Sequence, residues 1–194
     1  MNTNEEIVRA AIKIFSQKGM AATMKDVAHM AGVQENCLFK RFHSKDELIL
    51  CVFRFFWELV LKEAVAIRDA LMPVRLEDSV TLTCQFMLRE KDLVRAFYSC
   101  HVSPKNNFST KEVFALWEEI EKLEQATWQI LDDVVAKKQA AGEIMDKIKP
   151  SIIRQMLAGL YTYMLYRELF LDSEGEAEGL IESLKNVVQQ FFRP

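Results

Sequence analysis

Residues 23–47 read TMKDVAHMAGVQENCLFKRFHSKDE, and the punctuation within this stretch decides the fold. Thr23 followed three residues later by Asp26 has the form of a capping box, in which each residue satisfies the other's free backbone N–H. A helix of about two turns is expected to follow through Val27, Ala28 and Ala31. Gly32 enters a left-handed turn without steric penalty, so the chain is expected to break there. Val33 restarts it, and a second short helix carries Leu38 and Phe42 on its buried side with Phe39 beside them. Two short helices joined by a glycine turn make a helix-turn-helix, whose second helix can lie in the DNA major groove.

Outward from this unit, Ile7, Ala11, Ile14 and Phe15 repeat at helical spacing upstream, and Gly19 closes that first helix. Downstream, Ser44-Lys45-Asp46-Glu47 has the form of another capping box and opens a helix expected over residues 45–71. Leu48, Val52, Phe56 and Leu59/Val60 line its stripe; at 1.5 Å per residue it is a rod of about 40 Å, stopped by Pro73. Shorter helices are expected over 76–89 and 91–101. SPKNNFST, residues 103–110, reads as a loop. Ser109 with Glu112 reopens a helix to about Ala140, with Gly142 suited to its end. Pro150 fits the first turn of a helix over 150–171. DSEGEAEG, residues 172–179, interrupts the pattern before a last helix carrying Leu180, Leu184, Val187, Val188 and Phe191. No stretch alternates as a strand would. The expected fold is all-α with about nine helices: a three-helix helix-turn-helix domain over 1–48, and a helical bundle over 49–194 for ligand binding and dimerisation, linked by helix 45–71.

Half of the 194 residues are hydrophobic, ample for a core, and the formal charge is −3. The charge is uneven: residues 1–50 carry +1 and the remainder −4, and Lys40, Arg41 and Lys45 meet no acid between them. Phosphates respond to charge within a Debye length, so a mildly acidic chain can bind DNA, with modest non-specific affinity. Cys37, Cys51, Cys84 and Cys100 form no CxxC and have no histidine at ligand spacing; the last three read as small buried hydrophobes. No apolar run is long enough to span a bilayer, and MNTNEEIVR has no apolar signal core, so a cytoplasmic protein is expected. His29, His43 and His101 are the only histidines, and no phosphate loop, nucleophile elbow or HExxH is present. Glu118-Glu119-Ile120-Glu121 reads as a solvated helix face. No enzyme activity, metal or cofactor is expected.

The run IVRAAIKIFSQKGMAATMKDVAHMAGVQENCLFKRFHSKDEL resembles the N-terminal domain of TetR-type transcriptional regulators through AA…IF…KG, then T…DVA…AGV, then LF..F.SKDEL. The resemblance covers roughly residues 6–50. It implies that residues 34–41 (Gln34, Glu35, Asn36, Cys37, Phe39, Lys40 and Arg41 among them) meet DNA, with Thr23, Lys25 and Lys45 at the edges. Within that frame Glu35 and Asn36 suit base edges, and Lys40, Arg41 and Lys45 suit phosphates. Four positions depart from the family pattern: Gln34 stands where Ser or Thr is common, Asn36 where Gly is frequent, Cys37 where Thr is frequent, and Phe39 where Tyr is frequent.

The resemblance also implies an effector pocket in the second domain. Phe56, Trp57, Val60, Phe86, Phe97, His101, Trp117, Tyr161 and Met164 are its expected lining, around an apolar or aromatic effector. Helix 150–171 is apolar nearly all round, which calls for burial on every side. The family's usual arrangement pairs two such helices from each subunit, so Ala158, Gly159, Leu180, Leu184, Val187, Val188 and Phe191 are expected in a homodimer interface. The reading is a dimeric DNA-binding repressor released from a palindromic double-stranded operator by a small molecule. Two rivals stay open: a helical-bundle enzyme or carrier whose N-terminal domain binds a protein, and a helix-turn-helix regulator with no small-molecule effector.

Overall fold

A computed structural model describes residues 3–71, 75–100, 111–170 and 177–192. Among the described residues there are nine α-helices, one 3-10 turn and no strand. They are α1 (Asn4–Lys18), the 3-10 turn (Gly19–Ala21), α2 (Met24–Met30), α3 (Glu35–Arg41), α4 (Lys45–Leu71), α5 (Leu76–Arg89), α6 (Lys91–Ser99), α7 (Lys111–Ala140), α8 (Pro150–Phe170) and α9 (Ala177–Phe191). Pro73, His101, Ser109 and the expected loop 103–110 lie outside the described residues.

Packing divides the chain into two compact units: residues 1–59 with 90–123, and residues 60–89 with 124–194. This is a division by contact, distinct from the division of roles expected at residue 48.

In the first unit, α1 starts on a capping box that the sequence reading did not single out: Thr3 accepts from the Glu6 N–H while the Glu6 side chain takes the Thr3 N–H. Its buried face is Ile7, Val8, Ala10, Ala11, Ile14 and Phe15. Helix α6 packs along α1 and reaches the 3-10 turn, burying Leu93, Val94 and Ala96. It ends at Ser99, short of the expected residue 101, and the Cys100 N–H still bonds back to the Ala96 carbonyl. The Phe97 ring stacks on Phe56 with centroids 4.1 Å apart and lies tilted 4.8 Å from Phe53. Trp57 meets both Phe56 and Phe97 edge-on. The start of α4 modifies another expectation. Ser44 Oγ does accept from the Glu47 N–H, but the Glu47 carboxylate takes the His43 N–H at 2.8 Å, one residue earlier than a reciprocal box requires.

In the second unit α5 and α8 both pack on α9. Gly142 ends α7 as expected: its N–H bonds to Gln139 O and the Glu143 N–H to Lys138 O, the paired bonds of a Schellman motif. The loop that follows is clamped. Gln139 Nε2 donates to the carbonyls of Met145 and Ile148, and the Met145 N–H bonds to Phe192 O at the end of α9. Arg154 pairs with Asp132 at 2.6 Å and lays its guanidinium 4.8 Å over the Trp128 ring. The segment expected to interrupt the pattern before the last helix is partly helical, since α9 already includes Ala177 to Gly179. No helix among the described residues is long and apolar enough to cross a membrane.

Candidate DNA interface

The reading head is built by local hydrogen bonds. Thr23 Oγ1 accepts from the Asp26 N–H at 3.1 Å, and Asp26 Oδ2 accepts from the Thr23 N–H at 2.9 Å, the reciprocal box read from sequence. Lys18 adds a third support, donating to Asp26 Oδ1 at 2.7 Å. With that ammonium foremost, and the Thr23 backbone and hydroxyl behind it, the Asp26 carboxyl is held far below the ordinary carboxylate range. At the other end of α2 the Val33 N–H bonds to Ala28 O and the Gly32 N–H to His29 O. Gly32 closes this Schellman turn at φ +65°, a conformation in which any side chain is strained.

Helix α3 then starts at Glu35 from Gln34, which makes no side-chain cap, as its longer side chain leads one to expect. Charge compensates. Glu35 lies in the first turn and Lys40 and Arg41 in the last, each at the end its sign favours. Leu38 is the one buried residue of α3, with no exposed surface. At about 100° per residue, Asn36 and Lys40 lie furthest from Leu38; Glu35 and Phe39 form one flank, Cys37 and Arg41 the other. Gln34, Glu35, Asn36, Cys37, Phe39 and Lys40 are all exposed or half-exposed, and Arg41 half so.

Phe39 corrects one part of the sequence reading, its place beside the buried pair. It is 43% exposed on the outer surface and is no part of the buried side, while Phe42, buried as expected, caps α3 from outside the helix. The edge residues differ among themselves. Lys25 is exposed. The Thr23 hydroxyl already donates to Asp26 Oδ2 at 2.8 Å. Lys45 donates to the Met20 carbonyl, a neutral acceptor.

Two of the three thiols expected to be buried are so. Cys37 is exposed, Cys84 and Cys100 are buried and Cys51 half-buried. Burial pushes the Cys84 thiol up to about 12, and those of Cys51 and Cys100 up to about 11. Among the described residues no three His, Cys, Asp or Glu converge as a metal site.

The residues named for the effector distribute over both units. In the first, Phe56, Trp57 and Phe97 pack ring against ring, and Trp117 is half-buried. In the second, Phe86 is buried, Val60 half-buried, and Tyr161 bonds to the Ser79 and Thr83 hydroxyls while burial pushes its own hydroxyl up. His101 and the Met164 side chain lie outside what the structure describes. A cleft of about 260 Å³ in the second unit is lined by none of these residues; Leu76, Ile144, Val188 and Phe192 form its apolar part.

Of the residues named for dimerisation, Val188 is buried, Ala158, Leu180 and Leu184 are half-buried, and Gly159, Val187 and Phe191 are exposed. The sequence reading missed their neighbours Ile152, Met156 and Tyr163, exposed large side chains of α8. With Gly159 they fall at i, i+4, i+7 and i+11, one helix face, a spacing already legible in the chain.

A glycine turn, a singly anchored outward helix and a basic edge define a helix-turn-helix DNA-binding regulator. Residues 7–52 match the family described as bacterial regulatory proteins, tetR family. No curated protein matches the chain. Among solved structures it is similar to FadR from Bacillus subtilis, a transcriptional regulator seen in complex with stearoyl-CoA (16% identity, 96% of this chain and 97% of that one, TM-score 0.74). It is also similar to the TetR family regulator PfmR from Thermus thermophilus (15%, 98% and 97%, 0.69). A third is NalD, the secondary repressor of the MexAB-OprM multidrug efflux pump in Pseudomonas aeruginosa (19%, 94% and 93%, 0.58). At these identities the likeness is one of fold. Residues 7–52 thus carry the N-terminal domain of the tetR family of bacterial regulatory proteins.

Proposed function

We propose that this regulator is a homodimeric repressor that binds a palindromic operator through two copies of α3 and leaves it when an apolar effector binds within residues 49–194. The observation that carries the DNA-binding part is the outward surface of α3: Leu38 alone faces inward, and the exposed remainder offers Glu35 and Asn36 for base edges and Lys40 with Arg41 for phosphates. Thr23, Lys25 and Lys45 flank this surface as backbone contacts, Thr23 exchanging its bond to Asp26 for one to phosphate.

The exposed apolar faces of α8 and α9 support dimerisation. Ile152, Met156, Gly159 and Tyr163 on one helix, and Val187 and Phe191 on the other, gain most by leaving water against a second copy. A two-fold pair of reading heads about 34–36 Å apart matches one turn of DNA, hence the palindrome. Repression and an apolar effector are supported by the aromatic content of residues 49–194, by NalD's being a repressor and by FadR's complex with stearoyl-CoA. An effector releases DNA only to the extent that it prefers the non-binding state.

Selection of sites from random duplexes tests the whole. A recovered palindrome, bound with an affinity that falls steeply with salt, is the expected result. Retention on DNA that ignores salt would sink the reading, and failure of long-chain acyl or aromatic compounds to release the selected site would remove its effector half.

A further inference from the structure

We infer that Phe39 reads the 5-methyl groups of thymine in the operator, which rests on the proposal that α3 enters the major groove. Phe39 is the one aromatic side chain on this short helix, and 43% of it is exposed although Leu38 beside it is wholly buried. Its place on the helix gives the exposure a direction. Residues at i−4 and i−3 share its face, and these are Glu35 and Asn36. A helical side chain leans toward the N-terminus, so the ring covers the turn that carries the two base-reading candidates, at the end of α3 that meets base edges. The two basic residues of α3, Lys40 and Arg41, lie one and two positions beyond it.

Chemistry then selects the target. Phe39 has no hydroxyl and Cys37 only a thiol, so neither supplies a strong donor to phosphate. The major-groove edges of the four base pairs present donors, acceptors and a single apolar group, the thymine methyl, which Phe can contact. Asn36 complements it, because a side-chain amide pairs with adenine N6 and N7. Amide and ring side by side thus favour A·T pairs at the centre of each half-site, with Glu35 free to accept from a cytosine amino group nearby.

Uracil differs from thymine at this edge only by the missing methyl, so the probe is the site selected from random DNA with its thymines replaced by uracil one at a time. Wild-type protein is expected to bind the substituted duplex about fourfold more weakly at one or two positions per half-site, the effect of one buried methyl. Phe39→Ala should bind thymine and uracil duplexes alike, and Phe39→Tyr, which keeps the ring, should restore the difference. Since Phe39 is exposed, these variants are expected to fold, which circular dichroism and thermal unfolding check. Binding that is salt-dependent but indifferent to uracil at every position would overturn this inference and leave DNA recognition by α3 standing. A loss of affinity in Phe39→Ala that leaves the thymine preference intact would do the same. Absence of any salt-dependent binding would overturn both together.

Discussion

Helices α3 and α8 are both exposed, and for opposite reasons. Seven residues long, α3 buries Leu38 alone and turns mostly polar side chains to water. The 21-residue α8 instead leaves Ile152, Met156 and Tyr163 in water, the last 64% exposed. A short helix with polar outer residues tolerates water and gains from a charged, hydrated partner. A long apolar face is poorly placed in water and gains from a partner that excludes it. The contrast suits the two surfaces to the different contacts proposed for them: transient and salt-sensitive for α3, lasting and hydrophobic for α8 with α9.

The largest expected effect attacks the weak point of α3. Leu38→Ala removes its only buried side chain and should cost about 2–5 kcal/mol in denaturant unfolding. Asn36→Ala, two positions away and exposed, should leave that unfolding curve in place. Equal stability of the two variants would mean that α3 is held by something other than Leu38.

The second test addresses the apolar faces. Phe191 is 58% exposed, so Phe191→Asp should fold, yet weaken self-association by about ten- to a hundredfold in sedimentation, the loss of one buried aromatic. Gly159→Leu sharpens the point. Residue 159 is exposed and nothing within 4 Å would meet a Cβ there, so the variant is expected to fold and to act on the contact with a second copy. A wild-type chain that sediments as a monomer at micromolar concentration would end the assignment of α8 and α9.

Within the reading head, base and phosphate contacts should separate. Asn36→Ala should relax preference at one base pair by about 1–3 kcal/mol. Lys40→Ala should instead weaken all sequences alike and flatten the salt slope by about one unit. Identical changes in specificity from both would contradict the division of labour on α3.

The smallest effect concerns acid. The Asp26 carboxyl is held far down by Lys18, and then by Thr23. A group depressed on folding stabilises the folded state above its unfolded value, near 3.8, and that contribution fades as pH falls toward the folded value. Thermal unfolding of wild type and Asp26→Asn should therefore differ at neutral pH and draw together below about pH 4. A gap that stays constant down to pH 2 would show that the side chain acts through shape and not charge.

These contrasts also mark where sequence was legible. Helix boundaries came through wherever a cap or a glycine spoke locally: Thr23 with Asp26, Gly32, Gly142 and Pro150 each fall where the hydrogen bonds place them. The α3 surface was readable for the same reason, because one anchor at Leu38 sets the direction of every neighbour. Phe39 was set beside the buried Leu38 and Phe42 and also among the DNA-facing residues, and its angle from Leu38 turns it to solvent. The Ser44 box was half right. Its N–H bond is local, but the reach of Glu47 to His43 depends on how the chain arrives from α3. The union of α6 with α1 was invisible, since more than seventy residues separate them and neither periodicity names the other's partner.

That union has a consequence for anyone moving this reading head onto another chassis. Gly19, at φ +52°, sits so close to the end of α6 that a Cβ there would lie 3.3 Å from the Ser99 carbonyl oxygen. The turn that aims α2 is thus shaped against a helix encoded far downstream. A chimera cut after the first fifty or sixty residues would carry the DNA-facing side chains but leave the α6 face of α1 bare. The transplantable cassette is discontinuous, residues 1–59 together with 90–123, and a donor joined at a single splice should give a head that is soluble only where the recipient supplies its own α6.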